Sequence, residues 1–275
     1  MCATCGCEDS ENSVQFSVMG SETHTHSHVH DHFHEHAPNH DHTHVHSHEH
    51  GEAGHYHTHE VDLETDILQQ NNLLAERNRG FFEALNIFAI NLVSSPGSGK
   101  TTLLEKTIAD LKNQLTIEVI EGDQQTSNDA ERIYKLGVPT LQINTGKGCH
   151  LDSDMIAKSI KQLKPQANSL FLIENVGNLV CPAMFDLGEN LRAVIVSVTE
   201  GEDKPIKYPD MFYSSQVCII NKIDLLPYLK FDMEQLKNYA LQVNPNLKFF
   251  EVSAVTGEGM EKWYEYLKAQ MANKA

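Results

Sequence analysis

The sequence has no lysine or arginine before Arg77, although the 275-residue chain contains 21 such side chains. Residues 1–60 hold 10 acidic residues, and the formal net charge of the whole chain is −17. A nucleic-acid-binding protein needs a basic surface to neutralise phosphates, so this charge balance argues against a nucleic-acid partner. It favours divalent cations as ligands instead.

The sequence also lacks an uninterrupted apolar run of the roughly 18 residues that a membrane helix needs. Its N-terminus shows no basic region followed by an apolar one, which is the pattern of a secretory signal. We therefore expect a cytoplasmic protein with no membrane partner. The six cysteines form one cluster of three and three isolated positions, which is typical of metal or thiol chemistry and not of a disulfide framework.

Two regions of different composition are joined in this chain. Residues 1–60 contain too few large apolar side chains to offset the entropy of ordering, so we predict a disordered, metal-binding tail. The remaining residues have the length of one globular domain. Within them, residues 61–86 are predicted to form a lead-in amphipathic helix, and residues 87–275 the main domain. The apolar stripe predicted for this helix consists of Leu63, Ile67, Leu74, Phe81 and Leu85.

Sixteen of the 17 histidines lie between His24 and His59, mostly alternating with other residues. Neutral imidazole is a good ligand for late transition metals, and a pKa of about 6.5 leaves most of these rings neutral at cytoplasmic pH. We interpret the segment as a metal store, while a hydrophilic spacer is the alternative. The predicted storage ligands are His24, His26, His28, His30, His32, His34, His36, His40, His42, His44, His46, His48, His50, His55, His57 and His59.

The thiols of Cys2, Cys5 and Cys7 form a second, separate ligand set in the tail. Gly6 allows the backbone to turn tightly enough for all three thiols to face one ion. If Met1 is removed, the α-amine of Cys2 can supply a fourth donor, and a square-planar N/S set favours Ni(II) over Zn(II). The alternative is a redox-active Cys-x-x-Cys pair without a metal.

A phosphate-binding loop lies between a predicted strand and a helix predicted for residues 103–111. Lys100 can reach the β- and γ-phosphate oxygens, and the Thr101 hydroxyl can ligate Mg²⁺. The predicted phosphate-binding residues are Gly97, Ser98, Gly99, Lys100, Thr101 and Thr102. Short apolar runs predict strands at residues 87–93, 116–120, 138–144, 169–173, 217–220 and 247–252.

The base of the nucleotide is predicted from Asn221, Lys222 and Asp224, which follow one of these strands. The carboxylate of Asp224 can accept both ring N–H groups of guanine, for which adenine has no matching donor pair. After a later strand, the backbone of Ser253 and Ala254 can donate to the guanine oxygen. The pattern therefore predicts GTP, not ATP.

Two acidic side chains at strand ends are candidates for binding Mg²⁺. Asp123 and Glu174 can both reach a phosphate-bound ion. Gly177 follows Glu174 at switch spacing and is predicted to donate to the γ-phosphate. With Lys100, these residues form the predicted catalytic set, and slow intrinsic hydrolysis is expected because Asn178 occupies the place of a water-orienting glutamine.

Cys149, His150 and Cys181 lie just beyond the carboxyl ends of two predicted strands. In an open parallel sheet such loops meet at one edge, which also holds the phosphate loop. The three side chains are thus predicted to form a Ni or Zn site, completed by water, a nearby acid or a second subunit. Taken singly, the cysteine is more simply a buried apolar residue and the histidine a helix-entry hydrogen bonder. Cys218, inside an apolar strand, is assigned to the core.

Together these motifs predict an α/β domain of the P-loop NTPase class, with a mostly parallel sheet flanked by helices. They closely resemble the HypB family, the nickel-incorporation GTPases of hydrogenase maturation. The segments that carry the resemblance are residues 92–104, 121–125, 144–152, 174–182 and 197–205.

The resemblance implies a SIMIBI-class GTPase that works as a nucleotide-dependent homodimer. It implies a nickel chaperone, HypA, and the hydrogenase large-subunit precursor as partners, with GTP, Mg²⁺, Ni²⁺ and Zn²⁺ as ligands. It also implies a high-affinity nickel motif at the three N-terminal cysteines, which only some members carry, and a Ni or Zn site at Cys149, His150 and Cys181. The predicted function is GTP-dependent nickel delivery, and the alternatives are nickel storage or a urease-type accessory role.

Overall fold

The structure is a computed structural model that describes residues 14–20 and 57–273, with the backbone alone for residues 57–64. Its strands are β1 Gln15–Val18, β2 Phe88–Ser94, β3 Ile117–Asp123, β4 Thr140–Asn144, β5 Leu170–Glu174, β6 Leu191–Ser197, β7 Val217–Asn221 and β8 Lys248–Glu251. They form one sheet in the order β1-β4-β3-β5-β2-β6-β7-β8. Strands β2 to β8 are parallel, and β1 pairs antiparallel with β4.

Helices cover both faces of this sheet. They are α1 His57–Ala84, α2 Lys100–Leu111, α3 Asn128–Tyr134, α4 Ser153–Leu163, α5 Lys204–Lys207, α6 Pro209–Tyr213, α7 Met233–Val243 and α8 Met260–Ala272, with short 3-10 helices at Cys181–Ala183 and Ile223–Tyr228. Alternate residues of β2 face opposite layers: Ile90 packs with α2 and α8, whereas Ala89 packs with α1 and α4. The predicted α/β class with a mostly parallel sheet is confirmed, and each predicted strand is present.

The prediction of a wholly disordered tail is wrong for residues 14–20. These residues contain β1, in which Phe16 and Val18 pack on the core with the preceding Val14, while Gln15 and Ser17 are exposed. This alternation is the usual pattern of a half-buried strand. The averaged composition of residues 1–60 concealed it. The predicted ligands Cys2, Cys5, Cys7 and His24 to His55 lie outside the described residues.

Helix α1 is present but begins four residues earlier than predicted, at His57, so that His57 and His59 belong to its first turn. The predicted apolar stripe is wrong in part, because Ile67 is 47% exposed. Two asparagines occupy the buried face instead. The side chain of Asn78 donates to the carbonyls of Ser153 and Leu187, at 2.9 and 3.1 Å. The buried residues are Asn71, Ala75, Asn78 and Phe82.

The parallel strands bring their carboxyl ends to a single edge of the sheet, called the carboxyl edge below. The loops that follow β2, β3, β4, β5 and β7 therefore meet there, and they carry the predicted site residues. None of the helices in the described part of the chain combines the length and apolar character needed to span a bilayer.

Candidate nucleotide and metal site

The phosphate loop joins β2 to α2 in the predicted manner. Gly97 and Gly99 have φ values of 79° and 91°, a left-handed region that L side chains rarely adopt. Lys100 Nζ lies 3.0 Å from Glu174 Oε1, and the Thr101 hydroxyl donates to the same oxygen at 2.7 Å. Lys100 and Thr101 of the phosphate loop thus both contact Glu174, which is one of the predicted Mg²⁺ ligands.

A cluster of carboxylates, called the acidic cluster below, surrounds this contact. Glu121 on β3 lies opposite Glu174 on β5 in the strand register, and Asp123 follows two residues later. Glu121 and Glu174 are 2% and 1% exposed, and within the described residues neither Oε2 atom has a hydrogen-bond partner. Buried carboxylate oxygens without a donor are costly, and a hard cation such as Mg²⁺ would satisfy them.

The pKa values of this cluster reflect its crowding. The pKa of Glu121 is raised to about 9, first by burial and then by the charges of Glu174 and Asp123. Burial also acts on Asp123, but hydrogen bonds from Thr126 outweigh it and hold the pKa of Asp123 below its usual value. Sequence reasoning gave Glu121 no role, because only the pairing of β3 with β5 places it against Glu174.

The predicted base-recognition motif is hydrogen-bonded to the phosphate loop. Asn221 Nδ2 donates to the carbonyl of Ser98 at 3.1 Å, and its Oδ1 accepts the backbone N–H of Lys222 and of Ala254. Lys222 Nζ donates to the carbonyl of Gly97 at 2.6 Å. Asn221 therefore ties together three loops of the predicted nucleotide site.

Asp224 Oδ1 is buried and has no hydrogen-bond partner in the described part of the chain. It can accept the donor pair of guanine. The Ala254 N–H already donates to Asn221 at 3.2 Å, and the Ser253 N–H donates to the carbonyl of Glu258 at 2.8 Å. For this backbone to contact guanine as predicted, the N–H of Ala254 or of Ser253 would have to donate to guanine as well as to its present acceptor.

Cys149, His150 and Cys181 come together as predicted. One ligand atom from each lies within 4.8 Å of the other two, and Cys149 Sγ lies 3.6 Å from His150 Nδ1. The His150 ring stacks on Phe185 with centroids 3.9 Å apart. Burial lowers the pKa of His150 although Asp152 opposes it, which favours the neutral imidazole that binds metals. We call these three residues the thiolate cluster.

A hydrogen bond joins the loop of the thiolate cluster to the segment that carries Glu174. The next residue, Asn175, accepts the backbone N–H of Leu151 at 3.1 Å through its side chain, and Leu151 directly follows His150. Leu151 also packs on β3, where a Cβ added at Gly122 would lie 2.8 Å from its side chain. Neither Asn175 nor Leu151 was singled out from the sequence, since nothing in its local pattern predicts this contact.

The remaining predicted residues have clear places. A Cβ added at Gly177 would lie 3.4 Å from Pro96, so this backbone lies against the phosphate loop. Asn178 accepts the N–H of Val180 within its own loop. Thr102 is half-buried in the first turn of α2. Cys218 is fully buried in β7, and burial raises the pKa of its thiol, which confirms it as a core residue.

Fold and site together define a P-loop nucleotide-binding protein with a second, thiolate-containing cluster on the same sheet edge. Residues 88–251 match the family described as CobW/HypB/UreG, nucleotide-binding domain. The chain is 56% identical over 215 residues to the hydrogenase maturation factor HypB of Rhizobium leguminosarum bv. viciae, covering 78% of this chain and 72% of that one. The chain belongs to the HypB family of hydrogenase maturation factors.

Two solved structures have the same fold. The HypB of Archaeoglobus fulgidus is 41% identical, with a TM-score of 0.69 over 74% of this chain and 99% of that one. The HypB of Helicobacter pylori, solved in complex with nickel, is 36% identical, with a TM-score of 0.69 over 74% of this chain and 96% of that one.

Proposed function

We propose that this chain is a GTP-hydrolysing nickel metallochaperone, which binds and stores nickel and delivers it to a hydrogenase large-subunit precursor. The observation that carries the proposal is a hydrogen bond between the residues that directly follow His150 and Glu174 in the two clusters. The backbone of Leu151, beside the thiolate cluster, is held by Asn175, beside the acidic cluster. A displacement of the backbone at one cluster would therefore be transmitted to the other through this hydrogen bond.

The acidic cluster and its neighbours suit the binding and hydrolysis of Mg²⁺-GTP. Lys100 would hold the β- and γ-phosphates, and Gly177 would donate to the γ-phosphate. Thr101, Asp123 and Glu174 would ligate Mg²⁺, which when bound neutralises phosphate charge. Ser98, Gly99 and Thr102 would complete the phosphate loop beside them. The contact of Lys100 with Glu174 would open when Lys100 turns to the phosphates, which changes the charge that faces Glu174, the residue before Asn175.

The thiolate cluster suits a cargo ion. Cys149, His150 and Cys181 are half-buried, not enclosed, so a bound ion can exchange. Two thiolates and one neutral imidazole suit Ni²⁺ or Zn²⁺, and three ligands leave one position for water, a partner or a second subunit. We infer that this open position serves exchange of the ion with a partner. The partners would be the second subunit of a nucleotide-dependent homodimer, a nickel chaperone such as HypA and the hydrogenase precursor.

Nickel storage is the second candidate function, and the sixteen histidines between His24 and His59 favour it. If storage were the main role, hydrolysis of GTP would be incidental. The two functions make different demands on Lys100. Replacing it by alanine should abolish hydrogenase maturation if delivery is the function and leave maturation intact if storage is.

Metal titration tests the proposal directly. In full-length protein with Cys2, Cys5 and Cys7 changed to serine, the thiolate-to-nickel charge-transfer absorption reports the thiolate cluster and not the histidines. We expect nickel affinity to differ roughly 5- to 150-fold between GDP and a non-hydrolysable GTP analogue, with dimerisation followed by light scattering. Equal affinities and an unchanged oligomeric state would contradict GTP-gated delivery.

Base specificity is tested at Asp224. Asp224→Asn should weaken GTP binding by roughly 1–3 kcal/mol, because the guanine donor pair then faces a poorly matched amide. Xanthine nucleotide should become the better ligand, as measured by calorimetry. The exposed Asp210→Asn is the matched control and should leave both affinities unchanged. An equal loss for both nucleotides would mean that the base site is assigned wrongly.

A further inference from the structure

Two loops carry the thiolate cluster, and they come from different parts of the chain. The β4–α4 loop, residues 145–152, holds Cys149 and His150, and it leads into α4 at Ser153. The β5–β6 loop, residues 175–190, holds Cys181. The spacing of the three ligand atoms therefore depends on the contacts that hold one loop against the other.

One side chain of α1 hydrogen-bonds to both sides of this junction. Asn71 is 6% exposed, and its Oδ1 accepts the backbone N–H of Ser153 at 3.0 Å. Its Nδ2 donates to the carbonyl of Asp186, in the β5–β6 loop, at 2.8 Å. The buried Ser153 hydroxyl donates to the same carbonyl at 2.5 Å. Asn71 thus bridges the end of one loop and the middle of the other.

Two more residues of α1 reinforce this bridge. Asn78, about two helical turns after Asn71, donates to the carbonyls of Ser153 and Leu187. Arg79 pairs with the Asp186 carboxylate at 2.5 Å. Helix α1 therefore holds the β5–β6 loop against the start of α4 through a series of polar contacts.

The β5–β6 loop is also held from the sheet. Arg192 on β6 is 5% exposed, and its guanidinium donates to the carbonyls of Ala183 and Phe185 at 3.0 and 2.7 Å. The ring of Phe185 stacks on His150. The residue that touches a ligand of the thiolate cluster is therefore fixed through its own carbonyl and through that of its neighbour, Asp186.

We propose that Asn71 is a positioning residue for the nickel cargo, because its bridge between the two loops sets the distance of Cys181 from Cys149 and His150. This inference rests on the proposed function of the thiolate cluster. Ligands that are held at their binding distance before the ion arrives bind it more tightly, since the loops need less ordering when it binds. Residues that orient metal ligands typically contribute about 10- to 100-fold to metal affinity.

A purely structural role for Asn71 is the alternative. The N–H groups of a first helical turn have no acceptor within their helix, so Asn71 also satisfies the start of α4 at Ser153. In that role alone, its loss would lower stability and leave the metal site unchanged. The test must therefore observe the thiolate cluster itself.

Nickel titration of Asn71→Ala is the first measurement, made in full-length protein with Cys2, Cys5 and Cys7 changed to serine. We expect nickel affinity to fall about tenfold and the thiolate-to-nickel charge-transfer band to shift. The affinity ratio between nucleotide states should stay the same, since no hydrogen bond of Asn71 in the described part of the chain reaches Glu174 or Asn175. GTP turnover with Mg²⁺ verifies that the domain has folded.

Asn244→Ala is the matched control. The Asn244 side chain donates to the carbonyls of Phe212 and Ser215 at 3.1 and 2.7 Å, and neither of these residues belongs to the two loops. Its loss should lower stability comparably and leave nickel affinity and the charge-transfer band unchanged. A milder variant, Ser153→Ala, removes only the hydroxyl contact with Asp186 and should lower nickel affinity about threefold.

A second measurement needs no nickel. Phenylarsine oxide reacts with two neighbouring thiols, forming two As–S bonds and releasing water. The ligand atoms of Cys149 and Cys181 lie within 4.8 Å of each other, so the metal-free protein should bind this reagent tightly. Because the two loops can separate in Asn71→Ala, we expect the affinity for the arsenical to fall about tenfold there and to be unchanged in Asn244→Ala.

The outcomes for Asn71 and for the proposed function can be told apart. Unchanged affinities for nickel and for the arsenical in Asn71→Ala, together with lower stability, would overturn the positioning role and leave the proposed function untouched. Equal nickel affinities with GDP and with the GTP analogue in the parent protein would instead contradict GTP-gated delivery. The arsenical would still report whether Asn71 sets the distance between the thiols.

Discussion

The acidic cluster and the thiolate cluster occupy the same sheet edge but differ in burial and in the type of ligand atom that they offer. Glu121 and Glu174 are almost fully buried and offer hard oxygen ligands. Cys149, His150 and Cys181 are half-buried and offer soft ones. The first arrangement suits an ion that arrives and leaves with a nucleotide, and the second suits an ion that must be handed on.

The two clusters are nevertheless not independent. The side chain of Asn175 accepts the backbone N–H of both Leu151 and Val176, and it donates to Asn91 on β2 at 3.2 Å. One buried amide therefore connects the loop after β4, the loop after β5 and strand β2. Four substitutions separate what each cluster contributes from what the connection contributes.

The largest effect is expected at Lys100. Lys100→Ala removes the cation that faces Glu174 and, in the proposed mechanism, the phosphates, so kcat/KM for GTP should fall by at least roughly 100-fold. Phosphate release measures this. Nickel bound to the thiolate cluster with no nucleotide present should be unchanged. The exposed Lys112→Ala is the control, and a similar loss there would show a general defect.

A substitution at Cys181 should have the opposite effect, because it changes the thiolate cluster and leaves the acidic cluster intact. Cys181→Ser should weaken nickel binding at the thiolate cluster by about 100-fold and remove its dependence on nucleotide, because a thiolate ligand is lost. GTP turnover with Mg²⁺ but without nickel should persist. Cys218→Ser tests specificity, since this thiol is fully buried in β7 and is not among the ligand atoms that come together. Nickel affinity reduced equally by both changes would refute the assigned ligand set.

Asn175→Ala tests the hydrogen-bonded link between the two clusters. It leaves the N–H groups of Leu151 and Val176 without an acceptor, so stability should fall by about 1–3 kcal/mol. The ratio of nickel affinities between nucleotide states should fall toward one. Asn78→Ala is matched in burial and loses two hydrogen bonds where Asn175→Ala loses three, but Asn78 contacts neither cluster. The ratio should survive there, as measured by nickel titration.

Glu121→Gln should produce the smallest effect, and one that depends on pH. The folded-state pKa of about 9 lies above the ordinary glutamate value of about 4.3. The free energy of unfolding of the wild type therefore falls as pH rises between these two values, because the buried carboxyl resists losing its proton. The glutamine stays neutral. Without metal or nucleotide, the variant should melt about 5 °C higher than the wild type at pH 8.5.

The melting difference should shrink steadily toward pH 5. An exposed change, Glu83→Gln, should follow the wild type at every pH. Melting curves of Glu121→Gln and wild type that stay parallel across this range would show that Glu121 is not kept protonated by its neighbours.

The predictions from sequence agree with the structure where a feature depends on residues that are close together in the chain. Apolar runs predicted the strands, and the phosphate loop and the thiolate cluster lie where strand ends require. Glu121 and Asn175 were missed because their roles arise from pairing between strands distant in sequence. The buried face of α1 was missed because asparagines there hydrogen-bond to distant carbonyls. The strand β1 was missed because a short alternating segment disappears in a polar average.

Strand β1 has a further consequence for the solution behaviour of the chain. It covers the backbone of β4, which without it would end the sheet with unpaired N–H and C=O groups. An uncovered strand of this kind invites pairing with the same strand of another molecule. A chain trimmed past Val18 should thus self-associate edge to edge, which light scattering would record as a dimer with no relation to nucleotide. Deletions that remove the histidines but spare residues 14–20 avoid this false oligomer.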